Sequence, residues 1–347
     1  MGGNALQVES VRLGAKRYRI VEQQVMHQLA QAFPERRIES VMAFAAKADF
    51  GDLDLLIAGG CGYDPVAIAA ALHATEVVKN GDVTSIGVKV DEGVFQIDLI
   101  QTPIASFDFC ARYFGFNDMG NLLGRIAHKF GAKFGHLGLL YPIRDPENAS
   151  HLITEVPITM DFDLALRLLG YDAEQYEIMR RDGGFQSLTD IFAYVVSSPY
   201  FNRDIYLLEN RNHASRIRDA KRPTYNAFLV WVDAQPVGSL PAWPWAEAGS
   251  AQREHQRQAF LHAAFSACPD FKLAYDAAMA QLQRKKTLKR RYNGTLASAV
   301  TGLSGKALGE LMAGVRTSFQ NEAAFEAFFL HASDDEIKAC FSRHRRN

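Results

Sequence analysis

Two short stretches alternate between apolar and acidic positions, and they organise the first third of the chain. The first is Phe50-Gly51-Asp52-Leu53-Asp54-Leu55-Leu56-Ile57 and the second is Val94-Phe95-Gln96-Ile97-Asp98-Leu99-Ile100. Side chains of an extended strand alternate faces, so Asp52 and Asp54 share one face while Leu53 and Leu55 turn into a core. Between these stretches, Pro65 through Asn80 is Ala-rich with helix-compatible spacing and ends at Asn80-Gly81, which predicts a helix with a turn after it. Val83 to Val90 then reads as a strand, Asp91-Glu92-Gly93 as a tight turn and Val94 to Ile100 as the returning strand. An amphipathic helix over about Val21 to Ala32 precedes this block. Further on, Asp161-Phe162-Asp163 before Leu164 to Leu169 has the form of a helix cap. Gln235 to Ser250, broken by Pro236, Pro241 and Pro244, reads as a loop in which Trp243 and Trp245 form a packed plug, and Ala251 to Arg290 turns helical. The order predicts an α+β protein: a mixed sheet with flanking helices, then a mostly helical carboxyl-terminal domain.

The acids carry the candidate chemistry. Like charges on neighbouring strand positions repel, and an apolar strand supplies no cation to neutralise them. A divalent metal resolves the conflict. A neighbouring strand that brings Asp98 beside Asp52 and Asp54 would complete a three-carboxylate cradle suited to Mg²⁺ or Mn²⁺.

The order acidic strand, helix, hairpin, acidic strand, with Gly51 just ahead of Asp52-Leu53-Asp54, resembles the palm of the DNA polymerase β-like nucleotidyltransferase superfamily. A second block, Tyr113-Phe114-Gly115-Phe116-Asn117-Asp118-Met119-Gly120-Asn121-Leu122-Leu123-Gly124-Arg125, resembles the nucleotide-binding segment of family X DNA polymerases, and Ser187-Leu188-Thr189-Asp190-Ile191-Phe192 resembles a late thumb helix of that family. The likeness covers roughly residues 15 to 200. It implies catalytic, metal-holding roles for Asp52, Asp54 and Asp98 with two Mg²⁺ or Mn²⁺ ions. It further implies nucleotide contacts from Gly51, Tyr113, Phe114, Asp118 and Asn121, and a nucleic-acid contact from Arg125. Members of the family carry Gly-Ser ahead of the acidic pair, whereas this chain has Val41-Met42-Ala43-Phe44-Ala45-Ala46-Lys47, which leaves Lys47 as the phosphate contact. The Thr-Gly-Ser of the second block is replaced by Gly115-Phe116-Asn117.

Charge adds an asymmetry that the net value of −1 conceals. Residues 1–206 carry 18 Lys+Arg against 26 Asp+Glu, and residues 207–347 carry 20 against 13. The basic part contains Arg284-Lys285-Lys286-Thr287-Leu288-Lys289-Arg290-Arg291, a cluster from Arg211 to Arg222 and the tail Arg343-His344-Arg345-Arg346. Basic surfaces attract phosphate backbones through counterion release, so Lys285, Lys286, Lys289, Arg290 and Arg291 are candidate nucleic-acid contacts. The expected division is a palm over 1–105, a thumb-like segment over 106–206 and a basic helical domain over 207–347. No apolar run is long enough to span a bilayer, and Cys61, Cys110, Cys268 and Cys340 lack metal-type pairing, so a reducing cytoplasm is the expected compartment. The expected reaction is transfer of a nucleoside monophosphate from an NTP or dNTP to the 3′-hydroxyl of a DNA or RNA primer. Three alternatives stand beside it: an RNA-tailing enzyme of the CCA-adding or poly(A) type, a catalytically silent nucleic-acid-binding protein, and transfer to a protein hydroxyl.

Overall fold

The computed structural model describes residues 3–59, 64–181, 184–240 and 249–345. In chain order the elements are β1 (Leu13–Gly14), α1 (Ala15–Ala32), β2 (Ile38–Ser40), β3 (Asp49–Phe50), β4 (Asp52–Gly59), α2 (Pro65–Ala71), β5 (Glu76–Asn80), β6 (Val83–Val90) and β7 (Gly93–Pro103). They continue through α3 (Phe107–Phe114), α4 (Met119–Lys129), β8 (Lys133–Gly135), β9 (Gly138–Asp145), β10 (Asn148–Thr159), α5 (Phe162–Leu168), α6 (Ala173–Arg181), α7 (Leu188–Val195), α8 (His213–Ala220) and α9 (Pro223–Asp233). Helices α10 (Ser250–Ala267), α11 (Pro269–Arg291), α12 (Gly294–Thr301), α13 (Gly305–Thr317), α14 (Glu322–His331) and α15 (Asp334–His344) complete the described chain. The class is mixed α/β, with a helical carboxyl-terminal region. The loop residues Trp243 and Trp245, Cys61 and Arg346 lie outside the described residues. No described helix is long and apolar enough to cross a membrane.

The central sheet has five strands in the order β2-β4-β7-β6-β5, with β4 and β7 parallel and the other neighbours antiparallel. Its two faces bury different partners. Leu53, Leu55, Ile57, Ile97 and Leu99 face one way and pack with Tyr18, Val21, Val25 and Leu29 of α1. On the other face, Leu56 and Ile100 are covered by Phe107 and Cys110 of α3. That second face is apolar only where α3 covers it. One step earlier along the same strands it carries Asp54 and Asp98.

The hairpin has its expected form, since β6 and β7 pair antiparallel across Asp91-Glu92. Asp161 is also a cap, its carboxylate accepting from the Leu164 amide at 3.0 Å. The predicted helix over Pro65–Asn80 is not observed in full. Helix α2 ends at Ala71, His73 adopts φ 51°, and Glu76–Asn80 forms β5. Val77 and Val78 are β-branched, and pairing with Ile86 and Ser85 satisfies backbone groups that a longer helix would have bonded internally.

Two compact units divide the chain, Met1–Phe271 and Lys272–Asn347, the division falling inside α11. The expected boundaries near 105 and 206 fall within the first unit. Packing is the reason: α3 follows β7 directly onto Leu56 and Ile100, and Phe228 of α9 sits against Phe192 of α7 with ring centres 5.3 Å apart. The second unit has its own core of Ala297, Leu311, Val315, Phe325, Phe329, Ile337, Cys340 and Phe341.

Candidate metal centre and its cleft

Parallel pairing of β4 with β7 sets Asp52 opposite Gln96 and Asp54 opposite Asp98. Residues directly opposite in a sheet share a face, so the four side chains form a square on the side not covered by α1. One carboxylate oxygen from each of Asp52, Asp54 and Asp98 lies within 4.8 Å of the others. Antiparallel pairing with β6 brings Ser85 opposite Asp98 from the far side. The Gln96 Nε2 donates to Asp98 Oδ1 at 2.9 Å.

Burial and crowding raise the pKa of Asp54 to about 7, burial being the larger cause, followed by the charges of Asp52 and Asp98, with Lys47 opposing. Asp98 is raised by burial and by Asp52, against the lowering hydrogen bonds from Ser85 and Gln96. Among the described residues no Lys or Arg pairs with any of the three acids within 4.0 Å. The Lys47 ammonium lies 4.5 Å from the Phe50 ring centre instead, and burial lowers its pKa despite both acids. An oxygen-only donor set with uncompensated negative charge fits a hard divalent cation such as Mg²⁺ or Mn²⁺.

Because the metal-free Asp54 holds its proton up to about pH 7, a cation has to displace that proton at lower pH. Mn²⁺ affinity measured by calorimetry is therefore expected to rise steeply from about pH 6 and level off near about pH 8. Metal-free stability runs the other way. The fold keeps a proton that the unfolded chain has already lost, so stability present at low pH declines as pH rises from about 4 through about 7.

Asp52 and Asp54 open onto a cleft of about 710 Å³ lined also by Lys47, Gly51, Phe114 and Asp118, among others, whereas Asp98 stands behind them and does not line it. Of the block from Tyr113 to Arg125, only Phe114, Asn117 and Asp118 line it. Phe116 and Asn117 adopt left-handed backbone, with φ 60° and 61°, in the turn between α3 and α4. The Asp118 carboxylate is held by the Arg222 guanidinium, 104 residues away, in an ion pair that sequence reading did not anticipate. Tyr113 packs inward with ring centres 5.4 Å from Phe114 and 5.6 Å from Phe134. A Cβ at Gly120 would come within 2.3 Å of the Tyr113 carbonyl oxygen. Gly120→Ala is thus expected to cost about 1–3 kcal/mol in urea unfolding, with the start of α4 displaced.

Asn121 and Arg125 stand one turn apart on α4. The Asn121 Nδ2 and the Arg125 Nε are buried without a hydrogen-bond partner, and Arg125 is 7% exposed. Two orphaned donors on one helix face lack an acceptor.

The segment expected to cradle phosphate is engaged elsewhere. The amide of Ala45 donates to Phe185 O at 2.8 Å and that of Ala46 to Gln186 O at 2.9 Å, which ties the segment to the approach of α7. Helix α7 itself begins with a capping box between Ser187 and Asp190. The Gln96 and Ser85 braces on Asp98 were missed in sequence. Gln96 stands two residues before Asp98 on a strand, a spacing that by itself puts both on one face.

In the second unit Lys285, Lys289 and Arg290 are exposed on α11 and Lys286 is half-buried. Arg291 has a structural task, donating to Leu330 O at 2.9 Å and to Ala332 O. Of the Arg211 to Arg222 cluster, Arg211 and Arg218 flank the fully buried Asp219. No protein-family model matches this chain, and no curated protein matches it either.

Proposed function

We propose that the protein is a metal-dependent nucleotidyltransferase with a DNA polymerase β-like palm, acting on an NTP or dNTP and the 3′-hydroxyl of a nucleic acid. The observation that carries this reading is the register that sets Asp54 beside Asp98, with Asp52 on the same face and with Asp52 and Asp54 lining a cleft. Asp52, Asp54 and Asp98 would hold the divalent cation, which when bound neutralises phosphate charge and favours ionisation of the attacking hydroxyl. In the reaction the 3′-oxygen forms a bond to the α-phosphorus as the bond from that phosphorus to the β-phosphate bridging oxygen breaks. Pyrophosphate leaves, and the hydroxyl proton passes to solvent.

The remaining residues position the substrate. Lys47 supplies charge for the phosphates from the cleft wall, and Phe114 offers an aromatic edge to the sugar. Asn121 and Arg125, expected to touch the base and the strand, have their unpaired donors buried and do not line the cleft, so they stand behind its wall. Asp118 serves by fixing the wall through Arg222. Exposed Lys285, Lys289 and Arg290, with half-buried Lys286, would contribute sequence-independent attraction for a backbone.

A second reading, a catalytically silent nucleic-acid-binding protein, is favoured by one observation. The Ala45 and Ala46 amides are already bonded to Phe185 and Gln186 and do not face a triphosphate. Labelled nucleotide incorporation on single-stranded and primed substrates with Mg²⁺ or Mn²⁺ separates the readings. Product with dNTPs on a primed template supports the polymerase form, and ribonucleotide addition to an unpaired RNA end supports the tailing form. Retained primer affinity with no product under either cation supports the silent form and refutes the enzyme.

A further inference from the structure

The segment Gly3–Ser10 crosses the acid-bearing face of the sheet and bonds to it at successive strands. The Gly3 amide donates to Asp52 Oδ2 at 3.1 Å, and the Ala5 amide donates to Gln96 Oε1 at 2.9 Å. The Gln7 and Val8 amides donate to the Glu76 carboxylate at 2.8 and 3.2 Å. The Ser10 hydroxyl returns to Gly3 O, and the Val11 amide donates to Val94 O at 2.8 Å, which closes the crossing against β7. Glycines make the close approach possible. A Cβ at Gly3, which has φ +88°, would lie 2.3 Å from Gly51 O, and a Cβ at Gly87 would lie 3.2 Å from the Leu6 side chain.

Gln96 is the link between this segment and the acids. It is 2% exposed, its Oε1 is occupied by Ala5, and its Nε2 is therefore oriented toward Asp98 Oδ1 at 2.9 Å. Both outer acids are then held by donors: Asp52 by the Gly3 amide and Asp98 by the Gln96 amide. Like-charged carboxylates on adjacent strands would otherwise turn apart, and these donors, with Ser85 beside Gln96 on Asp98, hold them in one orientation.

We propose that residues 3–10 form a strap that sets the cation-binding arrangement of Asp52, Asp54 and Asp98, with Gln96 as its positioning residue. The inference rests on the reading of the triad as a cation site. The strap is part of the working site, and its detachment loosens the cradle without removing a ligand. Hydrogen-bonding partners of metal ligands typically contribute about 10–100-fold in affinity.

Mn²⁺ binding by the full chain, followed by electron paramagnetic resonance, tests it. Gln96→Met removes both hydrogen bonds at similar length, and Gly3→Val expels the strap by clash with Gly51 while leaving Gln96 in place. Gln96→Glu keeps the acceptor for Ala5 and loses the donor to Asp98. Gln96→Met and Gly3→Val are each expected to weaken Mn²⁺ about 10–100-fold, and the spectrum of bound Mn²⁺ in Gln96→Glu, which adds a carboxylate beside Asp98, is expected to change even at saturation. Circular dichroism checks folding, and should Gln96→Met unfold, Gly3→Val carries the comparison. Unchanged affinity in Gly3→Val and in folded Gln96→Met overturns the strap while leaving the triad intact. Tighter binding in Gly3→Val also overturns it, since the segment would then obstruct the site. Absence of Mn²⁺ binding by the unaltered chain overturns both the strap and the cation site.

Discussion

Asp54→Asn is expected to abolish divalent-cation binding and at the same time stabilise the metal-free protein near pH 8. The two effects share a cause. Asp54 sits between Asp52 and Asp98, and burial together with those charges pushes its pKa to about 7. Near pH 8 the metal-free fold must hold that carboxylate ionised against its neighbours. A neutral amide of nearly the same shape relieves the repulsion and offers an N–H₂ to either neighbour. The gain is on the order of 1–3 kcal/mol in chelator-treated protein near pH 8 and fades toward about pH 4.5, where the native acid is itself protonated. Loss of the central ligand should weaken Mn²⁺ by more than about 100-fold, beyond the effect of losing a bracing residue. Urea unfolding at the two pH values and Mn²⁺ titration read both quantities. A destabilised variant that still binds Mn²⁺ would remove the basis for the cation site.

The largest expected loss of stability comes from Asp219→Ala. Asp219 is fully buried, with Arg211 Nη2 at 3.0 Å from Oδ2 and Arg218 Nε at 3.2 Å from Oδ1. The Arg211 side chain is itself 7% exposed and also donates to the Tyr225 hydroxyl at 3.2 Å. Removing the carboxylate leaves a buried guanidinium without its counter-charge, which costs about 3–5 kcal/mol. The damage should reach the cleft. Asp219 lies at the end of α8, three residues before Arg222, and Arg222 holds Asp118 on the cleft wall. Urea unfolding measures the loss. A double variant, Asp219→Leu with Arg211→Met, is expected to recover most of it, because paired apolar groups replace a buried ion pair at little cost. Recovery of stability without recovery of the NTP affinity proposed above would show that the ion pair orients Arg222 as well as holding the helix.

Local pattern was a good guide wherever neighbouring residues decide the outcome. Alternation along residues 52–57 and 94–100 predicts strands, and the turn at Asp91-Glu92 has room only for a hairpin. Asp161, read as a cap before an apolar helical run, does cap it. The same reasoning failed over Glu76–Asn80. Alanine-rich sequence favours helix up to Ala71, but edge pairing with β6 outweighs the weak helical preference of Val77 and Val78. Lys47 shows another limit. The sequence offers it as the phosphate contact, and it does line the cleft, but folding lays its ammonium over the Phe50 ring.

The chain alone determined that Asp52 and Asp54 share a face, because strand geometry requires it of positions two apart. It also placed Asp98 in a strand leading back from a hairpin. Which residue stands beside which was decided only in three dimensions. The parallel register of β4 with β7 puts Asp98 next to Asp54, helix α3 covers Leu56 and Ile100 but stops short of the acids, and Arg222 reaches Asp118 across 104 residues. These relations depend on the burial of apolar faces contributed by distant segments. No local preference encodes them, since the free energy that selects one register is released only when both strands and the helix above them pack together.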